Sequence, residues 1–500
     1  EAGDLVVEVA PAVRLYYVEV EPASLGSPGD WERLQAALAA SHHLRDLTID
    51  PLLLRSLQPM LRKSNWAVTV TVWQGREVLR VEPGYVESLY GLAVDVGSTT
   101  IAAHLCDLRT GAVLATEAMM NPQVRYGEDL LSRVSYAMTE AQGVARLNRA
   151  VIRALNELAA KAAETAGIQP TEITDMVLVG NTVMHHLLLG IDPSELGQLP
   201  FALATYDPVD VKARELGIKV LHTGAMAHVL PCIAGYVGAD NVGVLLAEQA
   251  RLDDQITLIV EIGTNAEILL GTKEWMLWGS SRTGVSFEGA HISHGQRAAV
   301  GAVERIRIDR DTGAVRYKVI GDPRWSDDLP DDEALRPTGI CGSGIIEVVA
   351  ELLTAGLIDG SGRFVKDAAE RSPRVRWTGR TAELVLAPAG ETASGSDLVV
   401  TQADVRAIQL AKAALYAGVK IMMAHQGIDR VARIRLAGAF GSYIDPIHAM
   451  TIGLIPDCDL SHVTAIGNAA GDGARLALLN ADQRQLARQA AHSVTYVETA

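Results

Sequence analysis

Two acidic residues stand at the ends of apolar strands, and each is followed by a glycine and small polar residues. Asp95 lies in LAVDVGSTTIAAHL (92–105), and Glu261 lies in LIVEIGTNAEILLG (258–271). A Gly–hydroxyl turn between two strands exposes backbone N–H groups in a concave shape that holds phosphate oxygens. A carboxylate before such a turn can hold Mg²⁺, usually through water. The pattern therefore predicts a phosphate site with Asp95 and Glu261 as catalytic acids and Mg²⁺ ligands.

The residues after each acid are the predicted phosphate-binding groups. A side chain would block the approach of phosphate, and glycine also tolerates positive φ. The candidates are Gly97, Ser98, Thr99 and Thr100 in the first turn, and Gly263, Thr264 and Asn265 in the second. Because the pattern recurs at long range, it predicts a duplicated domain whose two turns clamp a triphosphate. Two ordinary β-turns are the alternative, which the matched pair disfavours.

Four glycine-rich segments fit the same kind of site. IRLAGAFGSYID (434–445) runs from a strand into Gly438, Ala439, Phe440 and Gly441, where a purine and ribose can lie against the backbone. Gly- and Ala-rich helices at 234–247 and 465–478 allow a close crossing, as a hinge between two lobes needs. In TGICGSGIIEVVAELL (338–353), the predicted ligands are Gly342, Ser343 and Gly344. Backbone amides at that helix N-terminus can meet phosphate or ribose, or Ser343 can simply cap the helix.

Asp240, in GADNVG at the start of a helix, is the third candidate catalytic residue. A carboxylate there can deprotonate an attacking hydroxyl or orient water. Capping its own helix is the alternative.

The elements that must position these residues alternate between strands and long helices from about residue 90 onward, which predicts a layered α/β architecture. The predicted helices span 127–166, 238–250, 343–356, 402–426 and 467–480. Before them, helices in 31–60, interrupted by Pro51 and Pro59, and a hairpin turning at Gln74-Gly75 predict a small α+β unit.

Composition excludes several classes of protein. The chain has 500 residues, 48% hydrophobic and 21% charged, with a formal net charge of −16, which argues against nucleic acid or an anionic membrane as partner. No apolar run of membrane-spanning length and no signal peptide stands out. Four scattered cysteines without CxxC spacing predict buried thiols in a reducing cytoplasm. Because the first residue is Glu1, we expect a fragment or a processed chain.

In this order, the motifs resemble those of the actin/hexokinase/Hsp70 (ASKHA) superfamily of ATPases and sugar kinases: phosphate 1 (95–100), connect 1 (237–247), phosphate 2 (261–267), adenosine (436–441) and connect 2 (467–477). The resemblance implies two RNase-H-like lobes that bind ATP and Mg²⁺. The domains that we predict are a linker at 1–20, a middle α+β domain at 21–88, lobe I at 89–250 and lobe II at 251–500, with the C-terminal helix packing back towards the hinge.

Four further segments resemble the C-terminal region of the reductive activators of corrinoid proteins (RACo-type): NPQVRYGEDLLSRVSYA (121–137), VLVGNTVMHHLLLGI (177–191), SFEGAHISHGQRAAVGAVERI (286–306) and GICGSGIIEVV (339–349). For that family the resemblance implies ATP-dependent one-electron reduction of a Co(II) corrinoid protein to Co(I), within a methyltransferase system. It also suggests a homodimer, and a [2Fe–2S] cluster in an N-terminal domain that this sequence does not contain.

Several interpretations stay open at this level. Asn121, Gln123, Arg125 and Asp129 can face a ligand, face a partner or cap the following helix, and Glu288 can reach the nucleotide. A small-molecule kinase of the same superfamily is the alternative to the activator, and a nucleotide-sensing assembly protein is a third hypothesis. The corrinoid protein and the electron donor are not identified by the sequence.

Overall fold

The computed structural model describes residues 7–249, 252–263, 266–281, 283–284, 287, 289, 292–328, 335–441 and 443–497, without the side chains of 439 and 440. Thr264, Asn265 and Glu288, all named above, lie outside the described residues. Contacts divide the chain into two compact units. Unit 1 comprises Glu1–Ala250 and Ala469–Ser493, and unit 2 comprises Arg251–Asn468 and Val494–Ala500.

The N-terminal part of unit 1 is a four-stranded sheet with two helices. Its elements are β1 (Val13–Glu19), α1 (Asp30–His42), β2 (Thr48–Ile49), α2 (Pro51–Lys63), β3 (Ala67–Trp73) and β4 (Glu77–Pro83), with strand order β1-β3-β4-β2. The hairpin turn at Gln74-Gly75 is confirmed, with φ of 47° and 65°. The expected break at Pro59 is wrong. Pro59 lies inside α2, on its exposed side. Pro51 begins the helix, at a position where no N–H is needed, and Asp50 caps it.

A six-stranded mixed sheet and its helices follow in unit 1, before the chain enters unit 2. Its elements are β5 (Tyr90–Val96), β6 (Thr100–Asp107), β7 (Val113–Met120), α3 (Leu130–Thr139), α4 (Gly143–Ala166), β8 (Ile173–Val179), α5 (Thr182–Leu189), β9 (Val209–Lys212), β10 (Met226–Val229) and α6 (Ala239–Gln249). The strand order is β7-β6-β5-β8-β10-β9. The single helix predicted over 127–166 is wrong. The chain reverses between α3 and α4, where Gln142 is left-handed at φ 67° and a Cβ on Gly143 would lie 2.5 Å from Tyr136 O.

Unit 2 repeats the strand–turn–strand arrangement in a second six-stranded sheet. Its elements are β11 (Thr257–Ile262), β12 (Ala266–Gly271), β13 (Met276–Ser281), β14 (Ala302–Ile308), β15 (Val315–Val319), β16 (Gly339–Ile340), α7 (Gly342–Thr354), α8 (Ala368–Arg371), β17 (Val375–Thr378), β18 (Thr381–Ala387), β19 (Leu398–Thr401), α9 (Gln402–His425), β20 (Arg433–Ala437), α10 (Gly438–Gly441), α11 (Pro446–Thr451) and β21 (Val463–Gly467). The chain continues with α12 (Ala469–Leu479), α13 (Ala481–Ser493) and β22 (Thr495–Tyr496).

The two large sheets share one local topology, which confirms the α/β class and the predicted strand–turn–strand in each half. In unit 1, β5 pairs antiparallel with β6 and parallel with β8. In unit 2, where the order is β21-β20-β11-β12-β13-β22, β11 pairs antiparallel with β12 and parallel with β20. Two three-stranded sheets, β15-β14-β16 and β17-β18-β19, complete unit 2.

The two Gly- and Ala-rich helices, α6 and α12, cross closely within unit 1. A Cβ on Gly473 would lie 1.9 Å from Gly243 O, and a Cβ on Gly243 would lie 2.7 Å from Ala470 O. Small residues are therefore required at this crossing, as predicted. Residues 469–493 belong to unit 1, whereas the sequence-based prediction assigned them to lobe II.

The cysteines are free thiols, and Cys106, Cys232 and Cys341 are buried while Cys458 is half-buried. Burial raises the pKa of the Cys106 thiol to about 12. Among the described residues, α9 is the one helix that is long and apolar enough to cross a membrane by length and composition. One such helix is weak evidence for a membrane span, and Val405, Ile408 and Leu415 place its apolar side in the core of unit 2.

Candidate nucleotide site

The first acidic turn joins β5 to β6 in unit 1. Asp95 is half-buried on β5, opposite Ala102 of β6 and beside Val179 of β8. A Cβ on Gly97 would lie 2.5 Å from Thr100 O, so the tight reversal itself demands glycine at this position. Gly97, Ser98 and Thr99 are half-exposed and Thr100 is exposed. A ligand can therefore reach this turn.

Two buried side chains donate hydrogen bonds to consecutive carbonyls of the first turn. Asn121 Nδ2 donates to Gly97 O at 2.9 Å, and the Asn121 backbone N–H donates to Thr99 O at 2.8 Å. The Arg133 guanidinium donates to Ser98 O through Nη2 and to Gly127 O through Nε at 2.9 Å. We call these two residues the Asn121–Arg133 donor pair. Both are fully buried, at 0% exposure.

The second acidic turn joins β11 to β12 in unit 2. Glu261 is half-buried, opposite Glu267 of β12 and beside Ala437 of β20. Thr283 Oγ1 donates to Gly263 O at 2.8 Å. Two carboxylates directly across a strand pair repel each other, so a cation at this position would be stabilised by both.

The predicted adenosine segment begins beside the second acid. Gly438 follows β20 with φ of 80°, and a Cβ there would lie 3.4 Å from Glu261 Oε1. A Cβ on Gly441 would lie 2.9 Å from the carbonyl carbon of Leu436. Gly438 therefore keeps the backbone close to the Glu261 carboxylate, and Gly441 lets α10 fold back closely on the end of β20. Of Ala439 and Phe440, only the backbone in α10 is described.

The Gly342-Ser343-Gly344 segment forms the first turn of α7. Cys341, and not Ser343, is the N-cap residue, and it makes no side-chain capping bond. Ser343 is buried, with its hydroxyl 3.3 Å from Cys341 Sγ, and a Cβ on Gly344 would lie 2.4 Å from Val303 O. The glycine therefore allows α7 to pack directly on β14, and the proposed contact with a nucleotide stays a prediction.

Asp240 lies in the first turn of α6. Its Oδ1 accepts from the backbone N–H of Asn241 at 2.8 Å and from Asn241 Nδ2 at 3.0 Å. Burial raises the pKa of Asp240 to about 6, against these two hydrogen bonds, which lower it. A carboxylate with that pKa is a suitable general base near neutral pH.

The structure resolves how the 121–129 cluster is used. Asn121 Oδ1 accepts from Gln123 N at 3.0 Å and so caps a short 3₁₀ helix, while Asp129 caps α3 through a reciprocal bond pair with Ser132. Gln123 is buried and donates to Leu147 O at 2.9 Å. Arg125 is exposed and stacks over Tyr126.

Sequence reasoning missed two residues at these turns. Arg133 lies on the buried side of α3, next to Val134. A single arginine within a helix does not show from sequence which group it will bind. Glu267 was available from hairpin register, because a short turn after Glu261 pairs the sixth residue with it.

Among the residues that the structure describes, one group of side chains outside these turns has metal-like geometry. Ligand atoms of Glu347, Asp445 and His448 lie within 4.8 Å of one another. However, Arg305 and Arg307 contact Glu347 at 2.6 and 2.9 Å and approach Asp445 to 4.0 and 3.9 Å. These guanidinium groups already neutralise the carboxylates, so the group is an ion-pair network that joins β14, α7 and α11.

Three family models match the chain in sequence. The RACo linker region matches 2–88, the RACo middle region matches 90–253, and the C-terminal domain of RACo, described as the ASKHA domain, matches 255–500. The α+β unit at 21–88, which we predicted as the middle domain, therefore matches the RACo linker region. The segment predicted as lobe I matches the RACo middle region.

Characterised relatives agree with these models. Corrinoid activation enzyme RamQ of Eubacterium limosum is 33% identical over 82% of this chain and 68% of its own length. The [Co(II) methylated amine-specific corrinoid protein] reductase of Methanosarcina barkeri is 23% identical over 74% of this chain and 66% of its own length. A solved structure of a reductive activator for corrinoid, iron–sulfur protein is 34% identical, covers 99% of this chain and 78% of its own, and has a TM-score of 0.83. The chain therefore belongs to the RACo family, the reductive activators of corrinoid proteins.

Proposed function

We propose that this chain binds ATP and couples it to the reduction of a corrinoid protein from Co(II) to Co(I). The observation that carries this proposal is the match to the solved reductive activator over 99% of the chain at 34% identity. An external low-potential donor would supply the one electron that the cobalt centre of the partner protein takes up. The formal net charge of −16 argues against nucleic acid as that partner.

The residues of the two turns suit the nucleotide part of this function. Backbone amides after Asp95 and Glu261 would bind phosphate oxygens, and the two half-buried carboxylates offer the hard oxygen ligands that Mg²⁺ prefers. Magnesium, when bound, neutralises phosphate charge. Asp240 would orient the attacking water as general base, since its raised pKa lies close to neutral pH.

The cysteines of this chain do not fit a [2Fe–2S] cluster. Cys106 and Cys232 belong to unit 1, and Cys341 and Cys458 belong to unit 2. No cysteine joins a metal-like group among the residues that the structure describes. We therefore propose that any such cluster is held outside this sequence.

The decisive experiment uses the intact gene product with a Co(II) corrinoid protein and a low-potential reductant. Co(I) formation is followed by its absorption with and without ATP and Mg²⁺. We expect ATP-dependent Co(I) in the wild type and none in Asp95→Asn or Glu261→Gln. The matched controls Glu215→Gln and Glu274→Gln change exposed carboxylates away from the turns and should retain activity. Co(I) formation that is indifferent to ATP contradicts the proposal.

The raised pKa of Asp240 also favours a second candidate, a small-molecule kinase of the same superfamily, because a general base at this pKa can deprotonate a substrate hydroxyl. Transfer of the γ-phosphate from ATP to a sugar or organic acid, lost in Asp240→Asn, would establish it.

The homodimer stays a proposal from family resemblance, and the molar mass from light scattering tests it.

A further inference from the structure

Three consecutive carbonyls of the first turn accept hydrogen bonds from outside their own hairpin. Gly97 O and Thr99 O accept from Asn121, and Ser98 O accepts from Arg133. The donors come from the segment after β7 and from α3. Packing of that segment and of α3 therefore fixes the orientation of these peptide groups.

Fixing the carbonyls also fixes the amides. In a planar trans peptide, the C=O of one residue and the N–H of the next point in opposite directions. Because Gly97 O and Ser98 O point towards the buried donors, the N–H groups of Ser98 and Thr99 point away from them. Those two residues are half-exposed, so an anion that approaches the turn from the side opposite the buried donors would meet these two amides.

The same turn would otherwise have an alternative conformation. Turn types I and II differ by a rotation of the central peptide, and glycine makes such rotations inexpensive. A reversed peptide would aim an N–H at the guanidinium or amide donors of the Asn121–Arg133 pair. Two donors facing each other leave both without an acceptor, which is costly in a buried place. The pair therefore selects the conformation with outward amides.

The donor pair cannot act by direct contact with a ligand. Asn121 and Arg133 are both 0% exposed, so a phosphate on the accessible side of the turn meets the backbone and not these side chains. Gln123 supports the arrangement, because Leu147 O fixes its amide and its Oε1 lies 3.4 Å from both Asn121 Nδ2 and Arg133 Nη1.

From this geometry we propose that Asn121 and Arg133 are positioning residues for phosphate recognition, which preset the first turn with the Ser98 and Thr99 amides facing the anion. The inference rests on the proposed function, since it assumes that this turn binds nucleotide phosphate. It deepens that function by assigning the affinity for phosphate to two side chains that never touch the ligand.

The test compares the affinity for ATP·Mg with the affinity for adenosine, both measured by calorimetry on the intact protein. Arg133→Met removes the donors while keeping an unbranched apolar side chain. We expect the ratio of the ATP to the adenosine affinity to fall about tenfold, as for loss of one hydrogen bond to a charged group, with adenosine binding unchanged. Arg133→Lys should restore part of the ratio, because a single ammonium can still reach one carbonyl.

Arg33→Met is the matched control. Arg33 is another buried arginine of unit 1, 7% exposed, and it donates to the carbonyls of Glu21 and Pro28 at 3.0 and 2.7 Å, in the N-terminal sheet region. We expect a lower Tm and an unchanged affinity ratio. If Arg133→Met does not fold, Asn121→Ser serves instead, because a hydroxyl keeps a capping acceptor but is too short to replace Nδ2.

The outcomes separate the two proposals. A wild type that binds neither ATP nor adenosine overturns the proposed function and this inference with it. A wild type that binds both, together with an Arg133→Met protein whose ratio matches the wild type, overturns the inference alone. Equal losses for ATP and adenosine with a lowered Tm also overturn it, because they would show a merely structural role.

Discussion

The acidic turns of the two units have the same hairpin topology but are held in different ways. In unit 1, Asp95 faces Ala102, and the buried Asn121–Arg133 pair holds the carbonyls of the turn. In unit 2, Glu261 faces Glu267, and the hydroxyl of Thr283 holds Gly263 O. The first turn is shaped by fixed donors from neighbouring elements, whereas the second places two like charges side by side.

This difference suggests a division of labour between the turns. Buried donors preset the first turn before any ligand arrives, so its ordering cost on binding would be small. Glu261 and Glu267 place two carboxylates opposite each other, and a cation bound there would be stabilised by both, so the second turn should respond most strongly to Mg²⁺.

After the complete loss expected for Asp95→Asn and Glu261→Gln, replacement of Asp240 should have the largest effect on turnover. Asp240→Asn should lower nucleotide turnover by about 10²- to 10⁴-fold, the usual range for a lost general base. Because its pKa is raised to about 6, wild-type turnover should fall as pH drops below 6 and the carboxylate gains a proton. A pH–rate profile measures both effects, and an Asp240→Asn variant that keeps the acid limb of the profile would contradict the assignment.

The raised pKa of Asp240 also makes folding stability depend on pH. Ionisation of Asp240 favours turnover but opposes folding. A carboxyl group whose folded pKa is raised favours folding at low pH and loses that contribution as pH rises through about 6. Asp240→Asn should therefore raise Tm at pH 7 while leaving it nearly unchanged at pH 4. Thermal melts at the two pH values provide the check.

A methyl group at Gly97 should distort the first turn. Its Cβ would lie 2.5 Å from Thr100 O, so Gly97→Ala should cost about 1–3 kcal/mol of stability, as overpacking does. ATP affinity should fall with it. Gly390→Ala is the control, because a Cβ at Gly390 meets nothing within 4 Å. Equal melting temperatures and ATP affinities in the two variants would refute the steric argument.

Loss of the Thr283 hydroxyl should affect the second turn more mildly. Thr283→Val keeps the shape and removes the bond to Gly263 O, for an expected cost of about 1 kcal/mol. Thr272→Val is the control. Thr272 is also buried, and its hydroxyl accepts a hydrogen bond from Glu274 N, away from the turn. This variant should lose stability but keep the ATP affinity of the wild type. Chemical denaturation measures both variants. If Thr283→Val weakens ATP binding more than Arg133→Met does, the contrast drawn between the turns is wrong.

Removal of one carboxylate in unit 2 should have the smallest effect. Without Mg²⁺, Glu267→Gln should raise stability by about 0.2–1 kcal/mol, because it ends a like-charge pair across the strands. With Mg²⁺ the gain should vanish, since the cation would then lose a nearby charge. Tm values with and without Mg²⁺ show this, and Glu274→Gln, an exposed site, should show no such dependence.

The acidic turns were predictable because their signal is local. An apolar strand, an acid and a glycine within a short stretch suffice to predict Asp95, Glu261 and their hairpins. The donor pair was not predictable, because only the packing of α3 brings Arg133 to Ser98 O. The break between α3 and α4 was missed for a similar reason, since the extended Glu140 after α3 and the left-handed Gln142 before α4 carry no strong sequence signal.

Unit 1 is discontinuous in sequence, since α12 and α13 follow the whole of unit 2. On the ribosome, β5 through α6 emerge while α12, which packs on Gly91 and Gly243, is still to be made. Unit 1 therefore keeps an incomplete core until all of Arg251–Asn468 has been translated. Its closure joins distant parts of the chain, a slow kind of step in folding. A stop codon near residue 468 would thus damage the half of the protein that was synthesised first.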